Sequence, residues 1–531
     1  MRLDLEEEVP SRPSGHLADE PWRGSVSGAV AAGVALGFGE LVAALGTSFP
    51  SLVVGVGDWL IDRSPGDITR AAIDALGTAN KPVLLTSTVV VSILIGGVLG
   101  HRSTTTPAVG IVGFAGFGLL GALAASGEVG ATTPGTVTAA VVATGVGIAT
   151  LMLLLTVGDG RIPVTRTQRE SPTDPYASRR AFLGFAGAAT AFAGLTATGA
   201  RGIAGRSPTE AARGEIRLPR ASEPSPSPAG IPAIDEVDGL TELYTPNDSF
   251  FRIDTALRIP QVDIDRWTLT VDGLVDQPVS FTYEELSAMR QVESDVTLAC
   301  VSNQVGGNLV GNARWLGVPL TDLLDRAGVD PDAEQVVGHS VDGFTAGFPI
   351  EVLDDGRPVL VAIGMNDEPL PLRHGFPARL VVSGLYGYVS ATKWLDRIEL
   401  TTWDGFDGYW IPRGWAKEGP IHTQTRIDVP ADGATVDAGP VAVAGVAWAP
   451  SRGITRVEVR IDDGDWVDAE LSEPIGDHAW RQWLHRWEAT PGRHEIRVRS
   501  TDGTGEVQTA NEQPPAPSGA TGRHRIRVGV A

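Results

Sequence analysis

The chain of 531 residues has a single cysteine, Cys300. It can therefore close no disulfide within itself and build no multi-cysteine zinc or iron-sulfur centre. Lysine is nearly missing as well, with Lys81, Lys393 and Lys417 the only three. Arginine takes its place, and with the alanine and glycine content this fits either a GC-rich coding bias or a salt-adapted acidic proteome. Positive charge is in deficit overall: 42 Lys and Arg against 64 Asp and Glu give a formal net charge of -22. Phosphate backbones are gripped mainly by Lys and Arg, so no nucleic-acid partner is expected. Paired histidines are lacking from the apolar runs, where His101 at a helix end stands alone, and no Cys-x-x-Cys-His segment occurs. No haem is expected on those grounds.

The first 200 residues are rich in Ala, Gly, Val and Leu and hold long uncharged runs. Stretches of about 20 uncharged residues are long enough to cross a bilayer as helices. Five such stretches are expected to do so: Ser25–Leu45, Pro82–Leu99, Ala108–Ser126, Thr136–Val157 and Ala181–Gly199. The run Phe49–Ile61 is shorter and carries Asp58, which suits an interfacial or re-entrant segment. Arginines concentrate between the fourth and fifth runs (Arg161, Arg166, Arg169, Arg179, Arg180) and after the second (Arg102), whereas Glu128 alone follows the third. Cytoplasmic loops carry the positive excess, so the N-terminus is expected inside and the C-terminal half outside. Ser178–Leu195, "SRRAFLGFAGAATAFAGL", resembles a twin-arginine export signal, with a positive-inside anchor as the plainer reading. The only charge within a span is Glu40. Scarcity of intramembrane charge favours an anchor over a transporter.

These boundaries predict a multi-domain chain: a cytoplasmic tail over 1–24, an α-helical membrane domain over 25–200, a flexible linker over 201–236, an α+β domain over 237–425, and a C-terminal immunoglobulin-like β-sandwich over 426–531. The linker is rich in Pro, Ser and charge and suits an extended tether. Strand-like "WTLTVDGLV" and "ARLVVSGLYGYV" mix with helical "TYEELSAM" and "LTDLLDRAG" in the α+β part. Short strands with Asp-Gly turns follow from about Val429.

The lone cysteine sits in "TLACVSNQVGG", before a polar, glycine-rich loop of the kind that presents functional side chains at strand ends. A buried small hydrophobe is the ordinary role of such a residue, and a soft metal ligand or nucleophile is the chemical one. Downstream, "RHGFPARLVVSGLYGYVSATKWL" gathers Arg373, His374, Arg379 and Lys393 around turns whose backbone amides are expected to be open. Cations and open amides make a phosphate pocket. A thiolate and a phosphate clamp in one domain suggest a phosphorylated cofactor that carries a metal.

The ordered series "NDSFFRID", "TLACVSNQVGG", "ARWLGVPL", "SVDGFTAGFP" and "HGFPARLVVSGLYGYVSATKWL" resembles the sulfite oxidase family of molybdenum enzymes from about Leu243 onward. The resemblance implies one molybdenum-molybdopterin per chain, with Cys300 as the protein ligand to the metal. It implies that His374, Arg379 and Lys393, with the backbone around Ser390, grip the pterin phosphate. Arg252 matches an arginine near pterin and active site, Asp342 an aspartate facing the pterin, and Tyr409 the family's active-site tyrosine, against a poor local match. Trp315 matches as packing. Where sulfite oxidisers place an arginine soon after the cysteine, this loop offers neutral residues until Arg314, which weakens the case for the sulfite dianion and favours a sulfoxide-like substrate. The implied reaction is two-electron oxygen-atom transfer on a small oxo-substrate. Electrons would pass through a separate carrier, a cytochrome or a quinone-linked membrane protein, and the last domain would serve homodimerisation. The competing reading is a catalytically inactive relative acting as a binding or sensor module.

Overall fold

The computed structural model describes residues 21–46, 48–128, 130–158, 183–184, 186–191, 208–226, 234 and 237–531. The chain divides into two compact units, Met1–Ser207 and Pro208–Ala531.

The first unit is helical: α1 (Pro21–Ala43), α2 (Leu52–Arg63), α3 (Gly66–Leu76), α4 (Asn80–Ser103), α5 (Pro107–Ala125) and α6 (Thr133–Gly158). Four of these are long and apolar enough to cross a membrane, over Trp22–Ala43, Asn80–Ser103, Pro107–Ala125 and Thr133–Val157. Their outward faces expose Val91, Leu94, Val98, Val112, Leu119 and Leu123. The fifth expected span and its arginine pair lie outside the described residues, apart from helical residues at 183–184 and 186–191. Ala186 packs there with Leu154, Val26 and Val30. Phe49–Ile61, expected at an interface, holds most of the 12-residue α2, capped by Ser51, whose hydroxyl accepts from the Val54 N–H. Glycine lets α1 and α4 touch backbone to backbone. A Cβ on Gly28 would fall 2.0 Å from the Gly96 carbonyl oxygen, and one on Gly100 2.3 Å from that of Gly24. Small residues at such crossings are how apolar helices associate without a hydrophobic driving force between them.

The second unit begins with α7 (Pro208–Glu215). The linker expectation is corrected here, because residues 216–225 form a strap along a sheet. Ile216 and Leu218 pack against the core, the Ser222 N–H donates to the Gln291 carbonyl, and Ser225 bonds the carboxylates of Glu293 and Asp295. A polar composition did not prevent order because Ser222 and Ser225 found partners along the sheet edge.

Two sheets build the central domain. One has the order β2-β1-β10-β5-β6, from β1 (Thr268–Gly273), β2 (Val279–Thr282), β5 (Gln335–Ser340), β6 (Thr345–Pro349) and β10 (Leu395–Thr401); β1 and β10 run parallel and the other pairs antiparallel. The other has the order β3-β4-β7-β8, with β9 also on β7, from β3 (Val292–Ala299), β4 (Val310–Pro319), β7 (Val359–Met365), β8 (Glu368–Pro369) and β9 (Arg379–Val382). Every residue of β7 is buried, as suits a strand covered on both faces. Helix α8 (Tyr283–Ala288) starts with a capping box between Thr282 and Glu285. Helix α9 (Leu320–Ala327) buries Leu320, Leu323, Leu324 and Ala327, one stripe at helical spacing. The segment "GLYGYVS", expected to continue a strand, turns into the one-turn α10 (Gly387–Ser390).

The last part pairs two sheets. The first, β11-β13-β17-β16, uses β11 (Gln424–Val429), β13 (Gly439–Trp448), β16 (Glu470–Leu471) and β17 (Arg481–Ala489). The second, β12-β19-β18-β14-β15, uses β12 (Thr435–Val436), β14 (Ile454–Ile461), β15 (Val467–Asp468), β18 (Gly492–Asp502) and β19 (Arg525–Val530). Val443, Trp483 and Trp487 from one and Val457, Val459, Ile496, Val498 and Val528 from the other share one core.

Candidate active site

Cys300 is the first residue beyond β3, whose final pair with β4 is Ala299 with Val310. The loop that follows is closed by its own backbone. The Cys300 N–H donates to the Leu309 carbonyl at 2.9 Å and the Asn303 N–H to the Cys300 carbonyl at 3.0 Å. Asn303 is spent on the same loop, its side-chain oxygen accepting from the Leu309 N–H at 2.9 Å. The Ser302 N–H donates to Sγ of Cys300 at 3.4 Å. Burial pushes the Cys300 thiol pKa up, opposed by the Ser302 hydrogen bonds and the charge of Lys393. Left to itself the group is a protonated thiol; a bound cation reverses that, because a coordinating thiol is deprotonated outright.

Three of the four motifs flanking this loop in sequence meet in one cluster. Phe250 packs edge-on against Trp315 (6.0 Å between ring centres) and against His374 (5.6 Å). The Arg379 guanidinium lies 4.9 Å from the Trp315 ring centre and donates to the His374 carbonyl at 3.1 Å. Nζ of Lys393 donates to the Ile253 carbonyl and to Oδ2 of Asp254, both at 3.1 Å, and Nε of Arg252 reaches the same Oδ2 at 2.7 Å. Arg252, Asp254, His374, Arg379 and Lys393 thus form one cluster in which Asp254 is the carboxylate that links Arg252 to Lys393. Asp254 escaped sequence reading, although its place two residues after Arg252 in "FFRID" was the available signal.

Burial strains these cations. It pulls Lys393 down to about 8 against the opposing pull of Asp254, and Arg379 down to about 9. His374 is driven down to about 3, by burial first and then by the charges of Lys393, Arg379 and Arg373. Its Nε2 lies 2.8 Å from the Asn247 carbonyl, which makes Nε2 the protonated nitrogen. Nδ1 is buried with no hydrogen-bond partner. Gly375 has φ +112°, and a Cβ on it would stand 3.1 Å from Cβ of Arg379 and from Cα of Lys393, so only glycine lets these two segments close together. An orphaned imidazole nitrogen, two desolvated cations and a glycine between them fit a phosphate monoester, whose charge lifts the His374 pKa and lets Nδ1 donate. Among the described residues no group of three His, Cys, Asp or Glu could hold a metal ion.

Other expected site residues have different employment. Of the turn amides, those of His374, Gly375, Leu380, Tyr386, Val389, Ala391, Trp394 and Leu395 donate to backbone carbonyls. The Ser390 hydroxyl donates to the Tyr386 carbonyl at 3.0 Å, one turn back. Oδ1 of Asp342 accepts from the Phe344 N–H at 3.1 Å and so holds the β5-β6 turn. Tyr409 packs on Phe344 (5.9 Å) beneath the guanidinium of Arg413, 3.7 Å from its ring centre. Arg314 is neutralised by Asp295 at 3.1 Å. Tyr386, not singled out from sequence, is buried, and its pKa is raised to about 12 by burial and by the charge of Cys300.

The C-terminal sheets brace the cysteine loop. A Cβ on Gly306 (φ +79°) would fall 2.3 Å from the His524 ring, and Nη1 of Arg426 donates to the Gly307 carbonyl at 3.0 Å. The Thr297 hydroxyl, on β3, accepts from the Trp480 N–H at 2.8 Å and donates to Oδ1 of Asn312 at 3.0 Å.

Residues 256–410 match the family described as "Oxidoreductase molybdopterin binding domain". The uncharacterized oxidoreductase YuiH of Bacillus subtilis (strain 168) is 36% identical over 159 residues, 30% of this chain and 76% of that protein. Human mitochondrial sulfite oxidase is 30% identical over 307 residues, 49% of this chain and 56% of that protein. Of the human and rat mitochondrial sulfite oxidases the chain thus spans little more than half the length. The solved structure of the sulfane dehydrogenase SoxCD from Paracoccus pantotrophus is 24% identical, covering 55% of this chain and 82% of that one at a TM-score of 0.47, a likeness that carries no functional argument. The chain belongs to the sulfite oxidase family of molybdopterin oxidoreductases.

Proposed function

We propose that this chain is a membrane-anchored molybdenum-molybdopterin oxidoreductase. In this reading it moves an oxygen atom to or from a small sulfoxide- or sulfite-like substrate, with its catalytic unit on the extracytoplasmic side. The observation that carries the reading is the pair of buried cations Arg379 and Lys393, closed around Gly375 with the unpartnered Nδ1 of His374, in the domain that holds Cys300. Arg379, Lys393 and His374 hold the pterin phosphate, with Gly375 leaving room for their approach. Arg252 and Asp254 keep Lys393 aimed. Cys300 ligates the metal through Sγ, and the Ser302 N–H donated to that sulfur tunes its electron density. When bound, the group supplies two-electron oxygen-atom transfer, and the protein supplies binding, orientation and electrostatics.

Substrate charge follows from what the loop withholds. Asn303 is folded back on the loop and Arg314 is paired with Asp295. Neither offers a free cation to a dianion, which supports a neutral or weakly charged oxo-substrate over sulfite. The final two sheets are read as an immunoglobulin-like module that braces the site and supports a homodimer. A separate carrier, a cytochrome or quinone-linked membrane protein, exchanges the electrons.

The test is molybdenum and pterin content of the purified full chain, wild type against Cys300→Ser, with turnover of methionine sulfoxide and of sulfite. Wild type is expected to hold one molybdenum per chain, and the variant to retain pterin while losing turnover by about 1,000-fold or more, as removal of a central catalytic interaction does. Wild type without molybdenum and pterin, made where the cofactor is synthesised, refutes the proposal.

A further inference from the structure

In the last sheet, β14 buries Val457 and Val459, β18 buries Ile496 and Val498, and β19 buries Ile526 and Val528. Alternation turns the residues between them outward, and that face is rich in arginine although the chain as a whole is acidic. Most of these arginines are neutralised: Arg456 by Asp468, Arg497 and Arg527 by Glu495, Arg499 by Glu458 and Arg525 by Glu512. Arg460 of β14 and Arg523, just before β19, form no ion pair among the described residues. Both lie against the ring of Trp466, in the turn between β14 and β15, and Arg499 joins them there. The guanidinium carbons of Arg460, Arg523 and Arg499 stand 5.0, 5.5 and 4.4 Å from the ring centre.

Few of their N–H groups are spent. Arg499 gives Nε and Nη2 to the Glu458 carboxylate at 2.7 and 2.9 Å, and Arg523 gives Nε to the Gln508 carbonyl at 3.1 Å. Nε of Arg460 is buried with no acceptor at all. Stacking on the indole fixes the guanidinium planes but leaves their mutual repulsion standing. Burial and the charges of Arg499 and Arg460 hold Arg523 below its ordinary pKa, against the pull of Glu458. Asp462, Asp463 and Asp465 belong to the same turn, yet among the described residues none pairs with these arginines; Asp462 is taken by His494 and the Glu495 N–H. Three guanidiniums against the single carboxylate of Glu458 leave two positive charges at one point of the face. The complement of that point is a small oxyanion of charge minus two, whose oxygens accept from several forked donors at once.

We propose that Arg460, Arg499 and Arg523, ordered by Trp466, bind one tetrahedral dianion of the sulfate or phosphate class, free in solution or at the end of a lipid headgroup. The unspent terminal N–H groups of Arg460 and Arg523 are its main donors, and Arg499 adds the nitrogen that Glu458 leaves unused.

The test titrates the purified full chain in detergent with sodium sulfate, sodium phosphate and sodium methyl sulfate by calorimetry, in chloride at constant ionic strength. Saturable binding of one sulfate per chain is expected, at least about tenfold tighter than the singly charged methyl sulfate, the worth of one hydrogen bond to a charged group. Arg460→Gln and Arg523→Gln should each weaken sulfate by at least about tenfold, whereas Arg525→Gln, whose arginine is already paired with Glu512, should leave it unchanged. Lysine at position 460 or 523 keeps the charge and should restore part of the affinity, which tells loss of the site from loss of the fold. Repeating the sulfate titration in phosphatidylcholine nanodiscs with and without phosphatidic acid distinguishes the sources: weaker sulfate binding with phosphatidic acid identifies a lipid phosphate, and equal binding a dissolved anion. No saturable binding of sulfate or phosphate, equal affinity for sulfate and methyl sulfate, or sulfate binding that survives both glutamine substitutions overturns the proposal.

Discussion

In the helical unit the closest approaches are between backbones: Gly28, Gly96 and Gly100 let α1 and α4 come together where no side chain fits. In the catalytic unit one glycine serves charges instead: Arg252, Asp254 and Lys393 share hydrogen bonds of 2.7 to 3.1 Å beside Gly375. Both regions use glycine to bring segments into contact, but for different ends. The bundle removes side chains so that dispersion forces act over a long line of contact. The catalytic unit removes one side chain so that cations that repel each other are held near enough to grip a single anion. What is left over around His374 is positive charge.

That contrast can be broken at its strongest point by Gly28→Leu. The atoms a side chain would meet are the Gly96 carbonyl and the Gly100 backbone, which cannot move aside. A loss of more than about 4 kcal/mol is expected, the scale reserved for severe packing faults. It is to be read as thermal unfolding of the helical unit in detergent, with molybdenum content unchanged. The catalytic unit is probed by Asp254→Asn, which leaves Lys393 and Arg252 without their carboxylate. Breaking a buried pair costs about 3 to 5 kcal/mol. Urea unfolding of cofactor-free protein should show that loss, and a smaller one in loaded protein, where the phosphate supplies the missing charge. The finest probe is pH. His374 is held at about 3 in the folded chain against an ordinary 6.5, so between those values the unfolded state binds the extra proton and stability falls as pH drops. At pH 5 the deficit relative to pH 7 is about 2 kcal/mol. His374→Gln should flatten that slope in cofactor-free protein, leaving the part due to His422, His478, His485 and His524, which burial also lowers, and a slope unchanged by the substitution would refute the assignment to His374.

Much of this arrangement was legible because it is local. Uncharged runs of membrane length need no tertiary information to be recognised, and four became long helices. Arg379 and Lys393 lie close in sequence around the same turns, so their grouping with His374 could be read from one stretch. The reading stopped where partners come from elsewhere. Asp254 looks like a surface carboxylate until Lys393, 139 positions later, is folded onto it. The strap over 216–225 looks like a tether because its order depends on Gln291, Glu293 and Asp295, which no local pattern connects to it. Asp342 and Ser390 sit beside the right turns, yet they hydrogen-bond to those turns, a distinction that depends on side-chain rotation and leaves no trace in spacing.

The contact between Gly306 and His524 also sets a clock. The two residues are more than two hundred positions apart, so at about 5 to 20 residues per second the ribosome takes on the order of 10 to 40 seconds to deliver the second after the first. Throughout that interval the cysteine loop exists without its brace. The cysteine loop is therefore among the last parts of the chain to acquire its support, and in a nascent chain the surroundings of this thiol are completed only once the final sheets have closed.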